Sequence, residues 1–292
     1  MDIHARWESC TACELGARRE SLGNRVVFGE GQVRGLLFVG EGPGWMEEKE
    51  ARPFIGPSGN LLRQVLAKLG DPPSYFTNTV ICRSCTPVLD PETQQVVMKK
   101  RYGSKVPLPL FRDEPPTPLH MNACNERLMH EIYAVDPIVI VTLGGKAAEH
   151  LTGRPFSVTT QRGNETTITI PGNGVRPVLT EKKKQWYRGA KANILQAAPE
   201  QRPVEQTEVS YLLVPTLHPA YVLRKIADKG PSSAFTNFAA DLKYAVGIYE
   251  RYYTTTIGEI PILHGGDNAE DLVDTLRTEW EETEEEDAYE DT

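Results

Sequence analysis

The stretch Gly35-Leu36-Leu37-Phe38-Val39-Gly40-Glu41-Gly42-Pro43-Gly44 decides the fold of this chain. Its first half is a short apolar run, the signature of a buried β-strand. Glycines and a proline then break the chain at the strand's carboxyl end, where open α/β sheets place their ligands. Glycine there lets backbone N–H groups approach a ligand, and Glu41 adds a carboxylate at the same point. A lone glycine-rich loop is also ordinary strand-to-helix punctuation, so its meaning depends on the rest of the chain.

Three further strand-like runs end in polar groups. Tyr75-Phe76-Thr77-Asn78-Thr79-Val80-Ile81-Cys82-Arg83 buries an amide, Asn78. Pro137-Ile138-Val139-Ile140-Val141-Thr142-Leu143-Gly144-Gly145 ends in a glycine pair, with helix-like Lys146-Ala147-Ala148-Glu149 behind it. Tyr211-Leu212-Leu213-Val214-Pro215-Thr216-Leu217-His218-Pro219 delivers an imidazole. Strands alternating with helical stretches predict an α/β fold: a three-layer α/β/α sandwich around a central, mostly parallel four-stranded sheet. Glu41, Asn78 and His218 are expected to converge on one edge of it.

In this order the segments resemble the family 4, iron–sulfur uracil-DNA glycosylases. That family's Gly-Glu-(Ala/Gly)-Pro-Gly loop, acidic residues and Gly-Arg-Pro-Phe-Val-Gly segment match Gly40 to Gly44, Glu47, Glu48 and Arg52 to Gly56. Its Thr-Asn-Val-Val-Lys-Cys-Arg strand matches Thr77 to Arg83, and its Leu-His-Pro-Ala-Tyr-Leu-Leu-Arg segment matches Leu217 to Arg224, with Val222 the only change. The resemblance covers residues 8 to about 250 and implies removal of uracil from DNA, leaving an abasic site. Phe54 would stack on a uracil flipped out of the helix, and Asn78 would pair with its O4 and N3–H edge, which cytosine presents in reverse. His218 would donate to O2 of the departing base, helped by backbone N–H groups of Gly42 to Gly44. Glu41 and Glu47 are both candidates for the carboxylate that steadies the cationic sugar and orients water. A related glycosylase family has an aspartate one place after the Glu41 position; this chain has Gly42 there. Tyr221 and Leu223 are the expected wedges into DNA, and Arg224 a phosphate contact.

The chain has five cysteines. By spacing alone, Cys10-x-x-Cys13 and Cys82-x-x-Cys85 read as a structural zinc site. The resemblance instead implies a [4Fe–4S] cluster on Cys10, Cys13, Cys82 and Cys124, with Cys85 the rival fourth ligand. An odd number of cysteines in a chain expected in the cytoplasm speaks against structural disulfides.

At 292 residues, 39% hydrophobic and 25% charged, the composition is that of a soluble globule. No run approaches a membrane span and no apolar signal core opens the chain, so a cytoplasmic monomer is expected. The glycosylase-like domain is expected over residues 1–257, interrupted at about 86–118 and 154–209. Both interruptions carry basic runs, Lys99 to Lys105 and Glu181 to Arg188. Basic and aromatic residues so mixed suit phosphate contact and base stacking, and equally a solvated loop. Residues 258–292 are expected to form a disordered acidic tail. A second reading of the whole is a catalytically weak or inactive glycosylase-like adaptor that binds DNA. Against it stands the retention of Phe54, Asn78 and His218 together. An enzyme acting on a free nucleotide is disfavoured because no P-loop is recognisable.

The net charge of −8 divides unevenly: residues 267–292 hold thirteen acidic residues and only Arg277, or −12, which leaves +4 on residues 1–266. A tethered tail competes with DNA phosphates at an effective concentration near about 1 mM for a short linker. Truncation after about residue 260 is therefore expected to tighten DNA binding and steepen its salt dependence. Equal affinities at low salt would reduce the tail to a solvating extension or a partner's handle.

Overall fold

In the computed structural model, residues 4–22, 24–99, 107–171, 175–187, 190–203, 208–229 and 233–256 are described. The acidic tail and most of the first basic run therefore lie outside the described residues. Lys182 to Lys184 lie in a strand whose side chains are not described.

The four expected strands form parallel neighbours in the order Ser74–Asn78, Leu36–Gly40, Val139–Leu143, Glu208–Thr216. Leu36 pairs in register with Ser74 on one side and Val139 on the other. Strict alternation sends side chains to two separate cores. Leu36, Phe38, Val139, Val141 and Val214 face helices Pro57–Lys68, Pro219–Lys229 and Ser233–Thr256. Leu37, Val39, Ile140 and Leu213 face the other side, with Leu128 and Ile132 of helix Pro118–Val135 and Ala147 of helix Gly145–Thr152. A central parallel sheet covered on both faces reads as continuous apolar sequence, which makes these runs legible.

The sheet has six strands rather than the four expected. Glu30–Gly31 joins the Ser74–Asn78 edge and Thr166–Pro171 joins the Glu208–Thr216 edge, both antiparallel. A two-residue strand has no periodicity to read. Thr166-Thr167-Ile168-Thr169-Ile170-Pro171 does alternate, with Ile168 and Ile170 buried, but it falls inside the second interruption. Farther along the same interruption, Val175–Tyr187 runs antiparallel to Ala190–Pro203. The first interruption folds into small ribbons, Cys85–Pro87 with Phe111–Asp113 and Met98–Lys99 with Leu108–Pro109.

Helix Pro118–Val135 starts where its sequence dictates. Pro118 sits at the first position, the Thr117 side chain accepts from His120 N–H, and the His120 ring accepts from Thr117 N–H. The helix carries an i,i+4 pair, Arg127 and Glu131, both about fully buried at 1% and 2% exposure. Arg127 Nη2 donates to the carbonyls of Asn78 (2.6 Å) and Thr79 (2.9 Å), and Nη1 donates to Glu131. Glu131 also accepts from Tyr75 hydroxyl (2.9 Å), Gly29 N–H (3.0 Å) and Thr77 hydroxyl (2.6 Å). The pair thus bolts the carboxyl end of the asparagine strand to the helix layer.

Burial alone would push the Glu131 carboxyl up, but Arg127 and donors from His4 and Thr77 outweigh it and hold it at about 2. Because the folded value is depressed below 4.5, its stabilisation is complete above pH 4.5 and is lost as pH falls towards 2. Glu131→Gln is expected to cost about 3–5 kcal/mol in urea unfolding at pH 7, since Arg127 is left as an uncompensated buried charge. The gap between variant and parent should narrow below pH 4.5; a gap independent of pH would show that the ion pair contributes nothing.

Candidate active site

The chain runs from Leu36–Gly40 outward to Ser74–Asn78 and then crosses back to Val139–Leu143, so the strand order reverses between Leu36–Gly40 and Val139–Leu143. The crevice at the carboxyl ends beside such a switch is the ligand position of open α/β sheets. Glu41 and Gly144 leave the two strands there; Asn78 and His218 come from the strands flanking them.

Bare glycine Cα atoms bring these groups together. A Cβ built on Gly40 would lie 2.4 Å from Asn78 Oδ1 and 2.8 Å from Phe54 Cζ, so amide and ring meet over a position without a side chain. Gly144 has φ +95°, in the region that favours glycine, and a Cβ there would lie 3.2 Å from Glu41 Oε1 and 3.3 Å from His218 Cβ. Glu41 and His218 therefore both lie against the bare Cα of Gly144.

Phe54 is buried and has a left-handed backbone, φ +54°, at a cost of about 1–3 kcal/mol for such strain. Two residues hold it there. Arg63 Nε donates to the Phe54 carbonyl at 3.1 Å, with its guanidinium 4.1 Å over the Phe76 ring. Gly59 lets the next helix press on Phe54, since a Cβ there would be 2.1 Å from the Phe54 carbonyl oxygen. The Phe54 and Phe76 rings lie 5.9 Å apart. Asn78 is 4% exposed, and its carbonyl is fixed by Arg127.

His218 is poised as a neutral donor. Ala220 N–H donates to His218 Nδ1 at 3.1 Å, so Nδ1 is unprotonated and the neutral ring carries its proton on Nε2. Burial, reinforced by the Arg224 guanidinium, pushes the imidazole down to about 4. Glu41 moves the other way: burial raises its carboxyl above 4.5, with Lys146 opposing. Glu41 also has its carbonyl tied down by Val80 N–H and Thr79 hydroxyl.

The other expected residues sit differently. Glu47 Oε1 accepts from Gly56 N–H at 3.1 Å, and Oε2 would touch a Cβ on Gly44 at 2.8 Å; its carboxylate staples the glycine loop to the Phe54 segment. Gly42 packs against Val80 and Pro116. Tyr221 and Leu223 are half-buried against the apolar core, with Lys225 Nζ 5.6 Å from the Tyr221 ring, while Arg224 is exposed. Sequence reasoning left Gly59, Arg63, Arg127, Gly144 and Lys146 out of the site. Only the Gly144-Gly145 pair offered a local signal; Gly59 and Arg63 act on nearby Phe54 through the turn it adopts, and Arg127 and Lys146 through contacts distant along the chain.

Cys82 and Cys124 lie in one apolar cluster with Trp7, Ile81 and Met121, and Cys10 and Cys13 pack against it. Burial, and then the neighbouring Cys124, pushes the Cys82 thiol up to about 12. Burial likewise raises Cys124, with Arg127 opposing and Cys13 and Cys10 adding to the rise. Cys82 and Cys124, whose ionisation is opposed by burial, lie with Cys10 and Cys13 in a donor set that a cationic centre would suit. Cys85 stands apart: burial raises it too, but the charges acting on it are those of Arg83, Arg18, Glu48 and Asp113. Among the described residues no three His, Cys, Asp or Glu side chains are set as a preformed metal site.

Comparison with known proteins agrees with this geometry. The profile of the Uracil DNA glycosylase superfamily matches residues 28–243. A type-4 uracil-DNA glycosylase of Thermotoga maritima is 30% identical over 226 residues, covering 76% of this chain and 82% of the relative. A type-4 uracil-DNA glycosylase of Archaeoglobus fulgidus is 31% identical over 153 residues, 51% of this chain and 62% of the relative. One of Sulfurisphaera tokodaii is 31% identical over 163 residues, 53% and 60% respectively.

Cys124→Ser is expected to abolish visible absorbance and bound iron in the purified protein, and Cys85→Ser to leave both intact. The reverse pattern would move the fourth ligand to Cys85. A colourless parent protein with one zinc would replace the cluster by zinc.

Proposed function

We infer, from the premise that this chain belongs to the uracil-DNA glycosylase superfamily and its type-4 branch, that it excises uracil from DNA and leaves an abasic site. The observation that carries this reading is the neutral imidazole of His218, proton on Nε2, gathered with the Glu41 carboxyl group beside Gly144. Hydrolysis of an N-glycosidic bond needs that pairing: a hydrogen-bond donor for the departing base and a negative charge for the cationic sugar.

The uridine is flipped from the stack at a cost of a few kcal/mol, offset by contacts in the pocket. Phe54, rigid in its braced left-handed turn, stacks on the base. The Asn78 amide donates to O4 and accepts from N3–H; cytosine would leave buried polar groups unpaired there. The bond from C1′ to the base then breaks with its electron pair on the base, and negative charge collects at O2. His218 Nε2–H donates to that oxygen. A neutral donor suits the step, because an imidazolium is disfavoured in a site that holds the ring's value near 4. Glu41 steadies the positive sugar and orients the water whose oxygen bonds to C1′. Of the two carboxylates considered, Glu41 is the better placed, because Glu47 is engaged by Gly56 N–H.

Cys10, Cys13, Cys82 and Cys124 would hold a [4Fe–4S] cluster, which supplies a structural tie between the first residues and the asparagine strand. Arg224 and Lys146, exposed beside His218 and Glu41, are suited to DNA phosphates. Tyr221 and Leu223 pack in part on the core and keep exposed surface beside Arg224 for the wedge into DNA.

A uracil-containing oligonucleotide, cleaved by alkali after incubation, tests the reading. The parent protein should yield the abasic product, and His218→Ala should lower the excision rate by about 10²–10³-fold with little change in DNA affinity. An unchanged rate would remove His218 from the mechanism, and DNA binding without excision by the parent would favour the adaptor.

A further inference from the structure

Uracil excision by these groups makes no use of a buried carboxylate on the last helix, Asp241, which is 4% exposed. Its Oδ2 accepts from the Thr216 hydroxyl at 2.7 Å and its Oδ1 from Arg162 Nη1 at 2.7 Å. Arg162 Nη1 also reaches the Asn237 carbonyl at 3.3 Å. Gly163, at φ +70°, comes so close that a Cβ there would lie 2.5 Å from Asp241 Oδ1, and its N–H donates to the Pro215 carbonyl at 2.8 Å. Asp241 is thus a hub where the histidine strand, the last helix and the Arg162–Gly163 turn meet.

Thr216 is the point of leverage. It is fully buried and is the last residue of the strand, two places before His218. Its side chain is held by Asp241, while its carbonyl accepts from Gly144 N–H at 2.9 Å. Both members of the imidazole–glycine contact therefore depend on one threonine, and that threonine's hydroxyl is anchored by one carboxylate. The other functional groups of the site have equivalent tethers: Arg127 for Asn78, Arg63 for Phe54 and Thr79 for Glu41.

We propose that Asp241 is a positioning residue for the excision site, acting through Thr216 to hold His218 and Gly144 in register with Glu41. The proposal rests on the glycosylase reading for its activity arm but not for its structural arm. A displacement of about an ångström at His218 is enough to cost up to about 10²-fold in rate without loosening substrate binding.

The test uses the full chain with Thr216→Val, which keeps the shape and removes the hydroxyl, Thr216→Ser, which restores it, and Asp241→Asn. Single-turnover excision and DNA affinity are measured for each, together with the imidazole nitrogen NMR signals of His218. Thr216→Val and Asp241→Asn should lower the excision rate by about 10- to 100-fold at unchanged DNA affinity, and the double variant should be no slower than the slower single one. Thr216→Ser should recover most of the rate. In the two impaired variants the His218 signals should show the Nδ1–H form appearing beside Nε2–H, as the ring loses its fixed approach to Ala220 N–H. A variant with lower melting temperature but parental rate and parental His218 signals would make Asp241 a purely structural anchor and overturn the proposal. So would equal losses in rate and DNA affinity. If the parent excises no uracil, the NMR arm alone decides: altered His218 signals in Thr216→Val uphold the positioning role while the glycosylase reading falls.

Discussion

The buried ion pair of Arg127 and Glu131 is the constraint on which the site depends. Arg127 directs its guanidinium at the backbone carbonyls of Asn78, the last residue of its strand, and of Thr79 just beyond it. A guanidinium buried in that position is costly without a partner, and Glu131 supplies one a turn along the same helix. Glu131 in turn collects Tyr75, Thr77 and Gly29, so helix, asparagine strand and the segment before the first sheet strand are fixed together. The asparagine amide is thereby presented from a rigid support. Under the proposed function, base recognition by hydrogen bonds needs this rigidity, because a mobile amide would pair with cytosine's reversed pattern as readily as with uracil's.

The site around that amide is built by omission. Gly40 and Gly144 each leave out a side chain where two functional groups must meet, and Gly59 leaves one out so that Phe54 can adopt its strained turn. Each omission is matched by a tether from outside the site: Arg63 for Phe54, Glu47 for the glycine loop, Asp241 with Thr216 for the histidine strand. Electrostatics follow the same division. Burial drives Glu41 and His218 in opposite directions on the pH scale, the carboxyl upward and the imidazole downward. Desolvation penalises the charged form of each, while Lys146 offsets the penalty for Glu41 alone.

The cysteine cluster joins the same framework from the other side. Cys82 lies four residues after Asn78, and Cys124 precedes Arg127 by three on the helix. Whatever binds these thiols shares its scaffold with the asparagine and with the ion pair. Arg83, between Cys82 and the first ribbon, extends the link to Glu48 beside the glycine loop and to Asp113 at the ribbon's base. A cluster of the kind proposed above, held on Cys10, Cys13, Cys82 and Cys124, would steady the asparagine strand from outside the crevice.

What the sequence determined by itself was the parallel core of the sheet and the identity of the groups at its carboxyl edge. Four apolar runs long enough for buried strands, each ending in glycine, amide or imidazole, left little freedom in either, and Glu41, Phe54, Asn78 and His218 all lie at that edge. The spacing of the cysteines named two candidates for a fourth ligand, and only the fold set Cys124 among the other thiols and Cys85 apart from them. Tertiary structure alone also decided the two antiparallel edge strands, the hydrogen bond from Gly56 N–H to Glu47, and the packing of half-buried Tyr221 and Leu223 on the core. It alone revealed the tethers: Arg127 acts 49 residues from Asn78, and Asp241 acts 25 residues from Thr216. The physical reason is one of range. Apolar periodicity and glycine placement are local properties written along the chain, whereas the partner of a buried polar group is fixed only when packing brings distant segments together and leaves each charge a single place to go.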